Sequence, residues 1–211
     1  MTIASASIIE QEKAIAVLRA DDPANLPPMI SALYDGGVRL IEITMTVPNA
    51  VKQIRQAIDE GPEDMVVGVG SVLNAETALE AIGAGAEFVV SPVFKEEIVE
   101  VCLQGNIVVI PGAFTPTEAR NAADAGANFV KIFPAGSLGM GYLKSILAPM
   151  PDLKLIPTGG VTVENAGEWL DAGAAAVGIG SDLLDKEAIR TGNFNKITEL
   201  AKKLMHGIKN R

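Results

Sequence analysis

The feature that most constrains what this chain can fold into is an alternation running from end to end: eight short apolar runs separated by segments of helical character. The runs are AIAVLR (14–19), LIEITMT (40–46), MVVGVGS (65–71), AEFVVSP (86–92), IVVIPGA (107–113), FVKIFPA (129–135), LKLIPTGG (153–160) and AAVGIGS (175–181). Between them lie stretches such as ANLPPMISALYDGG, NAETALEAIGAG, PTEARNAADAG and ENAGEWLDAG. Several open on Asn or Thr, which satisfy orphan amides at a helix start, and close on Gly, which takes the left-handed turn at a helix end. Eight strand-helix units predict an α/β fold, a (β/α)8 TIM barrel forming a single domain over 1–211 with an N-terminal helix ahead of the first strand. A doubly wound sheet is the alternative, but it would need fewer strands and a switch-point loop. With 211 residues, 48% apolar and only 4% aromatic, the chain can build one sizeable aliphatic core.

Charge narrows the function. A net charge of −9 argues against nucleic acid as a partner, because binding the phosphate backbone needs clustered Lys and Arg. An anionic ligand would have to be held by local fields. No run of 18 apolar residues and no basic-apolar-small leader is present, so a soluble, cytoplasmic protein without a membrane partner is expected. The one cysteine, Cys102, cannot form an internal disulfide. Its place among the apolar residues of IVEVCLQ predicts a buried structural thiol in a reducing compartment.

Four units share a local pattern, DGGVRLIEIT, GAGAEFVVSP, DAGANFVKIF and DAGAAAVGIG, each a helix-ending glycine followed by a strand. Five residues past the glycines at 37, 85, 126 and 173 stand Glu42, Val90, Lys131 and Gly178, on strands two, four, six and eight. Interior layers of such a barrel take four side chains from alternate strands, so equal offsets predict one shared layer. Glu42 and Lys131 would then face each other across it, with Val90 and Gly178 leaving room. A bulge or one-residue slip in either strand would turn one of them outward.

Lysine is almost never fully buried without a partner or a use. A buried ion pair is a poor stabilising device, since apolar replacements are often neutral or favourable, so chemistry is the better account of this one. An amine attacks a ketone only when neutral, and an enclosed site favours the neutral form. The resulting protonated imine is an electron sink that permits carbon–carbon cleavage beside it. A nearby carboxylate, Glu42, can shuttle the protons that imine formation requires. Lys154, in DLKLIPTGG, is the rival amine, but it stands at the entrance of its strand and points to the face opposite the chemistry. With His206 as the only histidine, a His-rich metal site is not available, and no metal or other cofactor is expected.

Two glycine-bearing turns, PTGGVTVEN (157–165) and GIGSDLL (178–184), follow strands seven and eight, the usual place for a phosphate in these barrels. Arg19 closes strand one, where a guanidinium can clamp a carboxylate, or equally can face solvent. Ser71 ends GVGS after strand three and offers a hydroxyl to the same carboxylate. Thr44 and Thr46 share the strand face of Glu42. Together these residues outline a site for an anionic keto acid.

The blocks AVLRA, GGVRLIEIT, VGVGSVLNAE, AGAEFVVSP, PGAFTPTEA, VKIFPA, PTGGV and VGIGS, in this order and spacing, resemble the 2-keto-3-deoxy-6-phosphogluconate (KDPG) and 4-hydroxy-2-oxoglutarate (KHG) aldolase family over nearly the whole chain. The resemblance implies a (β/α)8 barrel, a homotrimer, and a class I mechanism without metal, in which Lys131 forms a Schiff base with pyruvate or the keto acid and Glu42 moves protons. It implies further that Arg19 and Ser71 bind the pyruvyl carboxylate, that Thr158 lies near the aldehyde part, and that Gly159, Gly160, Gly180 and Ser181 cradle phosphate. Thr46, Pro92 and Phe133 are expected to border the substrate. The expected partner is a small keto acid carrying phosphate.

The chain departs from the family pattern in three places. Thr46 stands where some members carry arginine, which leaves the carboxylate clamp to Arg19. Gly70-Ser71-Val72-Leu73 replaces a common GTVL block and keeps the hydroxyl. GSLGMGYLK (136–144) replaces a different glycine-rich turn, which leaves the aldehyde substrate open. KHG cleavage to pyruvate and glyoxylate is the alternative within the family. Outside it stand a phosphate-binding barrel isomerase or epimerase, with Lys131 acting only through its charge, and a non-catalytic ligand-binding barrel.

Overall fold

A computed structural model describes residues 4–209. Its strands are β1 (Ala14–Leu18), β2 (Leu40–Thr44), β3 (Val66–Gly70), β4 (Phe88–Val90), β5 (Val108–Ile110), β6 (Gly112–Ala113), β7 (Val130–Ile132), β8 (Leu155–Pro157) and β9 (Val177–Ile179). Its helices are α1 (Ala4–Glu12), α2 (Leu26–Asp35), α3 (Ala50–Glu60), α4 (Ala75–Gly83), α5 (Glu96–Gln104), α6 (Pro116–Asp124), α7 (Met140–Leu147), α8 (Ala166–Asp171), α9 (Lys186–Thr191) and α10 (Phe194–Lys209). Every strand lies inside one of the apolar runs. The run IVVIPGA divides into β5 and β6 at Pro111, which has no N–H to give to a ladder.

All strand pairs are parallel, in a six-stranded sheet of order β5-β4-β3-β2-β1-β9 and a three-stranded sheet of order β6-β7-β8. The fold is thus α/β with parallel sheets wrapped by helices. A parallel bridge between Thr158 and Gly178 joins the end of β8 to β9.

The helix boundaries follow the capping chemistry. Asn74 accepts a hydrogen bond from the Thr77 amide at the start of α4, and Thr115 with Glu118 forms a reciprocal capping box on α6. The four repeat glycines have φ of +94° at Gly37, +102° at Gly85, +97° at Gly126 and +103° at Gly173. A Cβ strains that conformation, which is why the same residue recurs where each helix turns into the next strand.

This shared turn gives the strands a common phase. Leu40, Phe88, Phe129 and Ala176 belong to one buried cluster, together with Ile15, Val66, Val90, Val108, Ile110 and Ile156. Side chains two apart on a strand share a face, so Glu42, Val90, Lys131 and Gly178 point to the same interior as the residues two before them. Of the residues expected to share a layer, Glu42 is buried at 3%, Lys131 at 4% and Val90 at 2% exposure. The alternate residues, among them Ile41, Ile43, Val67, Val69, Val89, Val109, Ile132 and Ile179, form the second cluster under the helices. Cys102 lies in that cluster, buried on α5 as expected.

Interior glycines make the room. A Cβ at Gly68 would overlap the Phe88 ring, one at Gly178 would overlap the Thr158 hydroxyl, and one at Gly70 would overlap the Glu42 carboxylate. The N-terminal end is closed by α1, whose Ala6 and Ile9 join the inner cluster while Ser5 donates to Glu87 at 3.0 Å. Lys154 lies there too, paired with Glu10.

Candidate active site

At the C-terminal ends of the strands lies a cavity of about 270 Å³. Lys131 from β7 and Arg19 from the end of β1 are two of its cations. Val17, Phe133 and Thr158 wall it, and the turns Gly159–Gly160–Val161 and Gly180–Ser181 form its rim. Leu184, Lys186 and Ile189 complete it from the start of α9 and the turn before it. Residues that are more than 160 positions apart in sequence, Arg19 and Ser181, thereby share one space, because β9 pairs with β1.

Lys131 is buried, and among the described residues its ammonium is in ion-pair contact with no carboxylate. Its Nζ lies over the Phe133 ring, 5.0 Å from the centroid. Such a contact is worth about 0.5–2 kcal/mol, far below the several kcal/mol that desolvating an ion costs. Glu42 is buried as well, and its Oε1 has no hydrogen-bond partner among the described residues. Burial pushes the Glu42 carboxyl above the usual range, and the charges of Lys131 and then Arg19 oppose that rise. The acid therefore keeps its proton to higher pH than an exposed glutamate, while remaining within the field of the amine. An acid that can give a proton beside an amine that can bond a carbonyl is what carbinolamine dehydration demands.

The rim can hold an anion. Gly159 and Gly160 have φ of +79° and +89°, and successive left-handed residues turn backbone amides toward one side. A Cβ at Gly160 would lie 2.5 Å from the Gly136 Cα, so the turn after β8 packs against the segment after β7 with no space for a side chain. The Gly136 amide donates to the Gly159 carbonyl at 2.6 Å, and the Thr162 amide donates to the Asn165 side chain at 2.7 Å.

Of the residues expected at the site, Lys131, Arg19, Phe133, Thr158, Gly159, Gly160, Gly180 and Ser181 line this cavity. Glu42, Thr46, Ser71 and Pro92 are not on its wall; Glu42 reaches the site through the field it shares with Lys131 and Arg19. The Thr46 hydroxyl donates to Thr44 at 2.7 Å, and Thr44 donates to the Leu18 carbonyl at 3.0 Å, so this pair ties the end of β2 to β1. Ser71 follows Gly70, over which the Glu42 carboxylate lies, and holds φ of +60°. The Pro92 carbonyl packs over Gly112 of β6. Sequence reasoning did not single out Val17, Val161, Leu184, Lys186 and Ile189. Val17 was findable, since it stands two before Arg19 on the same strand face.

Parallel strands that present a buried amine, a buried acid and an anion-accepting rim at their C-terminal ends define a protein of the carbonyl-binding α/β class. A family model described as KDPG and KHG aldolase matches residues 5–200. The 2-dehydro-3-deoxy-phosphogluconate aldolase of Pseudoalteromonas atlantica is 33% identical over 206 residues, covering 97% of this chain and 95% of the relative. The KHG/KDPG aldolase of Escherichia coli K12 is 33% identical over 204 residues, with 96% and 95% coverage. The crystal structure of KDPG aldolase from Legionella pneumophila, with pyruvate captured as a covalent carbinolamine, superposes with a TM-score of 0.87 at 30% identity, covering 94% of this chain and 97% of the other. The chain belongs to the KDPG and KHG aldolase family.

Proposed function

We propose that this chain is a class I aldolase that reversibly cleaves 2-keto-3-deoxy-6-phosphogluconate to pyruvate and glyceraldehyde 3-phosphate. The observation that carries the reading is Lys131: an amine buried at 4% exposure, in contact with no carboxylate among the described residues, that opens onto the same cavity as Arg19. The carbinolamine of the Legionella relative supports it, as do the names of the Pseudoalteromonas and Escherichia relatives.

In this reading the Lys131 Nζ, as free amine, adds to the C2 carbonyl. Glu42 supplies the proton with which the carbinolamine oxygen leaves as water, and a protonated imine remains. The imine accepts the electron pair of the C3–C4 bond as the C4 hydroxyl gives its proton to the Glu42 carboxylate, and the aldehyde departs. Protonation of the enamine at C3, by Glu42, and hydrolysis release pyruvate and the free amine. Arg19 holds the carboxylate of the keto acid, and Ser71 is assigned to the same group. Thr158 is set beside the aldehyde half, and Gly159, Gly160, Gly180 and Ser181 receive the phosphate. Thr46, Pro92 and Phe133 border the substrate, with Thr46 acting through Thr44.

KHG is the second substrate to consider, because its cleavage to pyruvate and glyoxylate uses the same imine steps without a phosphate site. The β8–β9 bridge and the continuity of β5 with β6 favour closure of the two sheets into a (β/α)8 barrel of one domain. The family likeness favours a homotrimer, and a single reduced, buried Cys102 suits the cytoplasm.

The test is covalent trapping. The enzyme is incubated with pyruvate, reduced with borohydride and digested; the expected result is a mass adduct on the peptide containing Lys131. An intact Lys131 peptide, with or without an adduct elsewhere, rejects the mechanism. Steady-state rates with KDPG and KHG then rank the substrates.

A further inference from the structure

We propose that Lys186, at the first turn of α9, is a specificity-determining residue that selects substrates with a phosphate at the aldehyde end. The inference rests on the aldolase reading and adds to it a side chain that composition, spacing and motif did not single out.

Lys186 lines the cavity that holds Lys131, on the wall that also carries Gly180 and Ser181. The turn between them is tight: the amides of Leu183 and Leu184 donate to the Gly180 carbonyl at 3.0 Å and 2.9 Å, which brings α9 back over the cavity mouth. The acids around Lys186 are engaged elsewhere. Asp182 accepts from the Val163 amide at 2.7 Å. Asp185 accepts from the Ala188 amide and from Lys196, each at 2.7 Å. Glu187 receives Arg190 through two hydrogen bonds, of 2.8 Å and 2.5 Å. Among the described residues Lys186 takes part in no ion pair, so its ammonium is not neutralised by its acidic neighbours.

The charge of the whole chain gives this its weight. A protein of net charge −9 repels a dianion at long range, so binding one requires a cation placed at the spot. The glycine turns provide only amide dipoles, and Arg19 directly follows β1, where the reading commits it to the carboxylate. A lysine on a mobile four-carbon stem is a point charge suited to a phosphate at the entrance. Leu184 and Ile189 beside it leave an uncharged ligand tail no comparable gain.

The test compares KDPG with unphosphorylated 2-keto-3-deoxygluconate in the wild type, Lys186→Gln and Lys186→Arg, with inorganic phosphate as a competitive probe. Losing one charge-assisted contact is expected to raise KM for KDPG about tenfold, and to raise the inhibition constant of inorganic phosphate similarly. KM for the unphosphorylated acid and the yield of the pyruvate-borohydride adduct should stay within twofold, and Lys186→Arg should recover most of the loss. Equal effects of Lys186→Gln on both substrates, or none on either, overturn the assignment. A wild type that forms the pyruvate adduct, beside a Lys186→Gln variant that keeps the wild-type preference for KDPG, rejects the role of Lys186 alone; a wild type that forms no adduct rejects the aldolase reading beneath it.

Discussion

The carboxylate of Glu42 fills the place that a side chain at Gly70 would take: a Cβ there would overlap Oε1 and lie 2.5 Å from the carboxyl carbon. The two residues sit on adjacent parallel strands, Thr44 of β2 pairing with Gly70 of β3, so the glycine two residues along from Glu42 in register is what leaves the acid its seat. Gly70→Ala, at a backbone conformation that alanine accepts, is expected to push the carboxylate aside. Overpacking of this kind costs about 1–3 kcal/mol of stability. Since general acid catalysis contributes roughly 10²–10⁴-fold, kcat should fall by about tenfold or more. Denaturant unfolding beside steady-state kinetics checks this; full activity in a folded variant would show that the acid's seat does not matter.

Glu42 makes stability depend on pH with a definite sign. Its folded-state pKa is raised by burial, more than Lys131 and Arg19 lower it. The native state therefore holds a proton that the unfolded chain releases, and the contribution is present in full below the usual carboxylate pKa and is lost as pH rises through the raised value. Glu42→Gln lacks that loss. Its melting temperature, matched to wild type near pH 4, is expected to exceed wild type increasingly toward pH 8, while activity falls by about 10²–10⁴-fold. A difference in melting temperature that is flat with pH would contradict a raised carboxyl.

Lys131 carries the opposite trade of stability for activity. An ammonium buried without a carboxylate in contact among the described residues carries a desolvation cost of several kcal/mol, which an apolar chain of like length does not. Lys131→Met is expected to unfold at equal or higher denaturant concentration than wild type and to form no pyruvate adduct. Calorimetry and borohydride trapping on the same preparation decide it, and a strongly destabilised variant would mean the lysine is held by contacts beyond the Phe133 ring.

Ser71 holds φ of +60°, a left-handed conformation that costs a residue with a Cβ about 1–2 kcal/mol. Ser71→Gly should relieve that strain and leave stability equal or higher. If the hydroxyl meets the keto-acid carboxylate, KM for pyruvate in the reverse direction should rise about tenfold, the worth of one hydrogen bond to a charged group. An unchanged KM removes Ser71 from the site and leaves its backbone turn as the feature that matters.

Much of this molecule was legible along the chain, for a physical reason. Strand periodicity is two and each helix ends on the same left-handed glycine, so the glycines at 37, 85, 126 and 173 set a phase from which Glu42 and Lys131 could be placed on one interior face. The rim glycines at 159, 160 and 180 were readable because close backbone approach selects that residue type. Thr46 and Ser71 were less so: hydroxyls on a strand end serve a ligand or a neighbouring carbonyl equally well, and for Thr46 the structure shows the link through Thr44 to Leu18.

By itself, then, the order of residues determined the strand and helix segments, their inward faces and the identity of the amine and the acid, because these depend on local periodicity and turn chemistry. Only the tertiary structure decided which residues of distant segments share the cavity. The pairing of β9 with β1 sets Ser181 near Arg19, the register of β2 on β3 seats Glu42 over Gly70, and the turn at Gly180 carries Lys186 to the cavity wall. Those are relations between segments that approach one another only when the sheets are wrapped, and no periodicity within a single segment encodes the distance across the space they enclose.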